Sequence, residues 1–229
     1  MKDDTPVPDA APDANLIGDI YETLSSMYPG TYSGLLEPRR GQALDVLIAT
    51  ILSQATNDTL SSRAFDALKE TFPTWEEVLA ADPADVERPL AAGGLQKEKT
   101  KKIQATLARL KADFGRITLL PLNDWSAERS FQYLSSLPGV GPKTAACVLG
   151  FGLCKPAFPV DTHVLRISKR LGLVPLKVSA AKAQKILSAA VPAKMQMPLH
   201  VMMIRHGRTI CHARKPRCET CPLRKVCRP

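Results

Sequence analysis

No stretch of this 229-residue chain can span a bilayer as a helix: the longest apolar run, near Ala43–Leu52, is too short and contains Asp45. A secretory signal is also lacking. The first residues, MKDDTPVPDAAPDAN, are acidic, rich in proline and alanine, and without an apolar core. No segment alternates apolar and polar residues as a strand does, and no internal repeat is visible. Acidic residues are scarce near the C-terminus, where eight Lys/Arg from Arg205 onward face one acid, Glu219. These absences set aside a membrane-spanning helix and a sheet-based fold. They point to an intracellular, cytoplasmic or nucleoid protein with reduced thiols, in which disulfides are the weak reading of cysteine.

Positive charge is plentiful. The net charge is +9 with a pI near 9.4. Residues 1–14 carry a net −3, so the remainder stands at +12. Residues 1–14 read as a disordered acidic tail. The basic remainder favours a polyanionic partner. The length is enough to bury a substantial core in one large domain or two small ones.

Helical periodicity dominates, and the expected fold is all-α with about eleven helices. Leu16, Ile17, Ile20, Leu24 and Met27 form one apolar stripe. A helix over 42–53 is apolar nearly all round and reads as buried. Leu60, Ala64, Phe65 and Leu68 mark a third. Thr74-Trp75-Glu76-Glu77 has the form of a capping box. Asp82-Pro83 has cap-then-proline order. A long basic helix follows over 97–114, then helices near 125–136, 142–152, 162–171, 179–190 and 196–206. Cys147 and Cys154 fall in an apolar helical stretch and read as small buried hydrophobes. Lys99, Lys101 and Lys102 read as a solvated helix face.

Leu137-Pro138-Gly139-Val140-Gly141-Pro142-Lys143-Thr144-Ala145 joins two of these helices. Pro138 stops the first and Pro142 suits the first turn of the second. Gly139 and Gly141 allow positive φ and close backbone approach. The free amides of such a turn, at Gly139, Val140 and Gly141, bind phosphate oxygens without reading sequence. Lys143 lies near a helix N-terminus, where the dipole disfavours its ammonium form and leaves a nucleophile able to form a Schiff base. Asp161 precedes a helix and reads as its N-cap, whose amide bonds favour the carboxylate.

Four cysteines, Cys211, Cys218, Cys221 and Cys227, follow a C-x6-C-x2-C-x5-C spacing. Disulfides, zinc and an iron–sulfur cluster are the chemistries open to them. Zinc ribbons usually show two separated C-x2-C knuckles, whereas thiolates in one compact loop suit a cubane. Arg214, Lys215 and Arg217 stud the loop and are candidates for phosphate contacts.

The hairpin string, Asp161 some twenty residues on, and the cysteine spacing together resemble the endonuclease III family of DNA glycosylases. Matching segments are LPGVGPKTAACVLGFG, VDTHVLRISKRLGL, HGRTICHARKPRCETCPLRKVC and, more loosely, ILSQATND and GLQKEKTKKI; they extend the likeness from Leu16 to Cys227. The resemblance implies two lobes. Residues 39–155 would form a six-helix barrel with the helix-hairpin-helix motif, and residues 15–38 with 156–229 an iron–sulfur domain, with a DNA cleft between them. It implies a monomeric glycosylase/AP lyase of base excision repair that removes oxidised pyrimidines from duplex DNA and has no membrane partner. Lys143 would attack C1′ with Asp161 as its acidic partner, and the four cysteines would hold a [4Fe–4S] cluster.

In the family a polar residue, usually glutamine, and an apolar one fill the gap left by the extruded base. Leu95 fits the apolar role. For the polar one, matching the Gln-Ala-Thr letters selects Gln54, while matching Ser53 and Asp58 without a gap selects Ala55. Gln96 stands where the family commonly has tyrosine. Two other readings stay open: a glycosylase for another damaged or mismatched base, which Lys143 opposes, and a low-activity or non-catalytic cluster-bearing DNA-binding protein, which Ala55 would suit.

Overall fold

The computed structural model describes residues 12–31 and 43–227, and among them it contains helices and no strand. Most of the expected tail, residues 1–11, lies outside the described residues. Asp13 is already structural: its Oδ1 accepts from Asn15 N at 2.9 Å and caps α1 (Ala14–Met27). The chain divides into two compact units, Met1–Leu36 with Pro156–Pro229, and Glu37–Lys155.

The continuous unit is built round α2 (Ala43–Leu52), whose Leu47, Ile48, Ile51 and Leu52 are fully buried. Burial of such side chains stabilises the unit by roughly 1.5–3 kcal/mol each. Around α2 pack α3 (Asp58–Thr71), α6 (Gln96–Phe114) and α8 (Pro142–Cys147). The short α4 (Trp75–Ala80), α5 (Pro83–Leu90) and α7 (Ala127–Ser136) complete the unit. Local signals explain where these helices start. Both halves of the Thr74–Glu77 capping box are present, Asp82 caps α5 ahead of Pro83, and Ser126 caps α7.

The helix expected over 142–152 ends as an α-helix at Cys147 and continues as a wide π turn, Val148–Gly152. The widening occurs where the backbone grazes α2: a Cβ at Gly152 would lie 2.9 Å from Ala43 Cα. Cys147 is buried as expected. Cys154 instead lies beyond the helix, half-buried, with φ +50°.

The discontinuous unit joins the two ends of the sequence. Ile17, Ile20 and Leu24 of α1 share one core with Val164 and Ile167 of α9 (Thr162–Arg170), Leu187 of α10 (Ala180–Ala190), and Leu199, Met202 and Met203 of α11 (Ala193–Thr209). Leu223 is 3 % exposed and anchors the cysteine loop in the same core.

Candidate active site and metal centre

In the hairpin, Leu137 O accepts from Val140 N at 3.1 Å, and Gly139 turns the chain with φ +75°. A Cβ at Gly139 would meet the Lys102 side chain at 2.7 Å, so glycine is required there twice over. Gly141 differs from expectation. Its backbone is extended, at φ −86°, and a Cβ there would meet nothing within 4 Å. Neither the turn nor the surrounding protein demands glycine at that position. Val140 also differs from expectation: its side chain is buried and its amide is taken up by Leu137 O, so it has no free donor to offer outward. Lys143 is the second residue of α8 and half-exposed.

Gln54 is bound to this hairpin. Its Nε2 donates to Gly139 O at 2.9 Å and to Thr144 Oγ1 at 3.4 Å, while its Oε1 accepts from Lys102 Nζ at 3.1 Å. Both ends of the amide are therefore used in bracing the turn beside Lys143. Ala55 is exposed, in the left-handed region at φ +53°. Leu95, at φ +55°, presents a large apolar side chain that is 56 % exposed.

Lysine 99 overturns the expectation of a solvated face. It is buried, and its Nζ donates to Gly93 O at 2.8 Å, fixing the loop just before Leu95. Burial, and then repulsion from Lys102, lowers its pKa. Lys102 is half-buried over Gly139, and only Lys101 is exposed. A lysine's place on a polar helix face gave no sign that its terminus would turn inward to a carbonyl.

In the other unit, Asp161 caps α9 as expected: its Oδ1 accepts from Val164 N at 2.7 Å. His163 packs against Gly207 and shares Nδ1 with Arg166 at 3.1 Å, a local structural role. Two arginines of α9 grip the start of the cysteine loop. Arg166 donates to Cys211 O at 2.7 Å and to Gly207 O at 3.1 Å; Arg170 donates to Cys211 Sγ at 3.1 Å and His212 O at 2.9 Å. The helix that Asp161 caps is thus tied directly to the loop. The i, i+4 spacing of Arg166 and Arg170 places them on one face, a signal present in the sequence but not recognised there.

All four cysteines line one cavity of about 250 Å³. Yet among the described residues no three His, Cys, Asp or Glu come close enough together to hold a single metal ion. A ring of thiolates round a space this size fits a multi-iron cubane, with one ligand per iron, better than mononuclear zinc. Burial raises the Cys221 thiol, opposed by a hydrogen bond from Leu223 N and reinforced by repulsion from Cys211 and Cys218. Burial and repulsion from Cys211, Cys221 and Cys218 likewise raise Cys227. Two thiols raised by burial and by their cysteine neighbours favour a cation that takes up their charge on ionisation. Arg214, Lys215 and Arg217 are exposed on the loop, which Arg217 N closes onto Ile210 O at 3.0 Å.

The HhH-GPD superfamily of base excision DNA repair proteins matches residues 48–193, and the iron-sulfur binding domain of endonuclease III matches residues 211–227. Endonuclease III of Rickettsia prowazekii is 34% identical over 93% of this chain and 95% of its own. The chain belongs to the endonuclease III family. A putative DNA glycosylase of Arabidopsis thaliana is 39% identical over 79% of this chain, which spans 62% of that relative. A non-covalent endonuclease III–DNA complex superposes with a TM-score of 0.79 at 30% identity, covering 94% of this chain and 95% of that one. A trapped endonuclease III–DNA covalent intermediate gives 0.78 at 30% identity, covering 94% and 96%. This endonuclease III-family chain is a DNA glycosylase/AP lyase of base excision repair, binds DNA and carries a [4Fe–4S] cluster. Among the described residues no helix is long and apolar enough to cross a membrane.

Proposed function

We propose that this protein excises oxidised pyrimidines from duplex DNA as a monomer, with Lys143 as nucleophile and Asp161 as its acidic partner. The Lys143 Nζ lone pair attacks C1′, the C1′–base bond breaks, and the base leaves with the bonding electrons and takes up a proton. The nitrogen gives up one proton, its lone pair forms the C1′=N bond as the C1′–O4′ bond breaks, and O4′ takes up a proton, leaving a protonated Schiff base with one N–H. Removal of a C2′ proton then expels the 3′ phosphate. The observation carrying this reading is the placement of Lys143 at the head of α8, directly behind a turn braced by Gln54. The 30%-identical trapped covalent intermediate supports a covalent route. Asp161 uses Oδ1 for its cap. We assign the other oxygen to stabilising positive charge that develops at C1′.

The four cysteines are the proposed cluster ligands. The cluster itself supplies fixed geometry to the loop, and Arg214, Lys215 and Arg217 then contact phosphates, together with the backbone amides of Gly139 and Gly141. Leu95 fills the gap left by the extruded base. Ala55, exposed where Gln54 is not, occupies the polar wedge position with a truncated side chain.

Incubation with duplexes carrying thymine glycol, 8-oxoguanine or a mismatched adenine tests the substrate class. Base release from thymine glycol well above the other two is expected; release from a purine lesion alone would contradict it.

A further inference from the structure

Beside the cysteine cavity lies a buried polar pair that the reaction does not use. His206 on α11 is 1 % exposed and Tyr28, the C-cap of α1, is 5 % exposed. His206 Nε2 stands 3.5 Å from Cys221 Sγ, and its Nδ1 stands 3.1 Å from the Tyr28 hydroxyl. Tyr28 is held from other sides by Thr209 Oγ1 at 3.0 Å and by the Arg205 guanidinium stacked on its ring.

We infer that Tyr28 and His206 form a one-directional hydrogen-bond relay onto the Cys221 sulfur, and that this relay is part of what retains the iron–sulfur cluster. The inference rests on the reading of the four cysteines as ligands. A ligating sulfur is a thiolate and can only accept, so Nε2 must carry hydrogen. In a neutral imidazole Nδ1 is then the acceptor, and Tyr28 must donate to it. The direction of both bonds is thus set by the ligand's chemistry.

The relay has a counterpart on Cys211, whose sulfur accepts from Arg170 Nη1 at 3.1 Å. Two of the four ligands therefore receive N–H···S bonds from side chains, one from a guanidinium on α9 and one through a neutral relay that begins on α1. Such donors withdraw charge from ligating sulfur, slow its release and raise the reduction potential of the cluster. Tyr28 lies 193 positions before Cys221. In this way the N-terminal helix contributes to holding a cofactor whose ligands all lie at the other end of the chain.

The test uses the full chain with its cluster, and the variants Tyr28→Phe, His206→Phe and His206→Gln. Iron release to a chelator is followed by loss of visible absorbance, and the midpoint potential is read by voltammetry. Removing a hydrogen-bond partner of a metal ligand costs about 10–100-fold in metal retention; His206→Phe is expected to release iron about that much faster than the native chain. Tyr28→Phe, which keeps the buried ring, is expected to release it at least about threefold faster by the same reasoning. Both should show a lowered potential with unchanged helical circular dichroism. His206→Gln keeps an N–H donor and should lie near the native chain. Native rates and potential in Tyr28→Phe would overturn the relay, as would a His206→Gln variant no better than His206→Phe. A Cys221→Ala variant that holds and releases iron as the native chain does would instead overturn the ligand assignment on which the relay rests.

Discussion

At the scale of residues, side-chain direction separates what the sequence could show from what it could not. Lys143 and Asp161 were legible as helix-start residues from the proline and cap signals around them, and the structure finds both there. Gln54 and Ala55 were not, since one residue of register exchanges an inward for an outward side chain. The structure places Gln54 on the hairpin and leaves Ala55 outside. An extruded base costs a few kcal/mol to hold out of the stack, and alanine offers little to occupy its place. Ala55→Gln should therefore speed base release from a paired lesion by about threefold to tenfold, corresponding to roughly 0.7–1.4 kcal/mol. Strand cleavage at a pre-formed abasic site should change little. Equal effects on both substrates, measured under single turnover, would show that position 55 does not act in base extrusion.

At the scale of elements, helix boundaries followed from caps and prolines, while the loops between them required the backbone. Of the four non-glycine residues with positive φ among the described residues, three are Ala55, Leu95 and Lys215, in the loops of the two proposed wedge residues and the basic loop. Left-handed backbone costs a side-chain-bearing residue roughly 1–2 kcal/mol, and such strain collects at functional sites. No composition or periodicity reports it, because residues of these types are ordinarily right-handed or extended. Leu95→Gly separates strain from function. It should raise unfolding stability by up to about 1 kcal/mol, since glycine adopts φ +55° freely. It should also weaken binding to an abasic-site duplex severalfold if the exposed Leu95 side chain is the proposed apolar wedge. Chemical denaturation and a binding titration together check this; lower stability, or unchanged binding, would count against the assigned role. The π turn at Val148–Gly152 was equally illegible; it ends where the Gly152 backbone lies too close to Ala43 for a Cβ.

At the scale of the whole molecule, charge and cofactor were the most legible properties. The cysteine spacing marked out a metal loop, and the cavity ringed by those cysteines fits a cluster. What the spacing lacked was the surrounding grip of Arg166, Arg170, Tyr28 and His206, which is assembled from α1, α9 and α11. The net charge of +9 predicts DNA affinity that falls steeply with salt. Replacing Arg214, Lys215 or Arg217 singly by alanine should weaken binding to every duplex alike and reduce the salt slope by about 1. An unchanged slope for all three would place the phosphate contacts elsewhere. The central claim is that Lys143 forms a covalent bond to the sugar at C1′. Borohydride trapping on a duplex with an abasic site tests it most directly. The native chain should yield a protein–DNA adduct that Lys143→Ala abolishes while the variant still binds the duplex. A native chain that gives no adduct, or a variant that traps as well as native, would contradict the account.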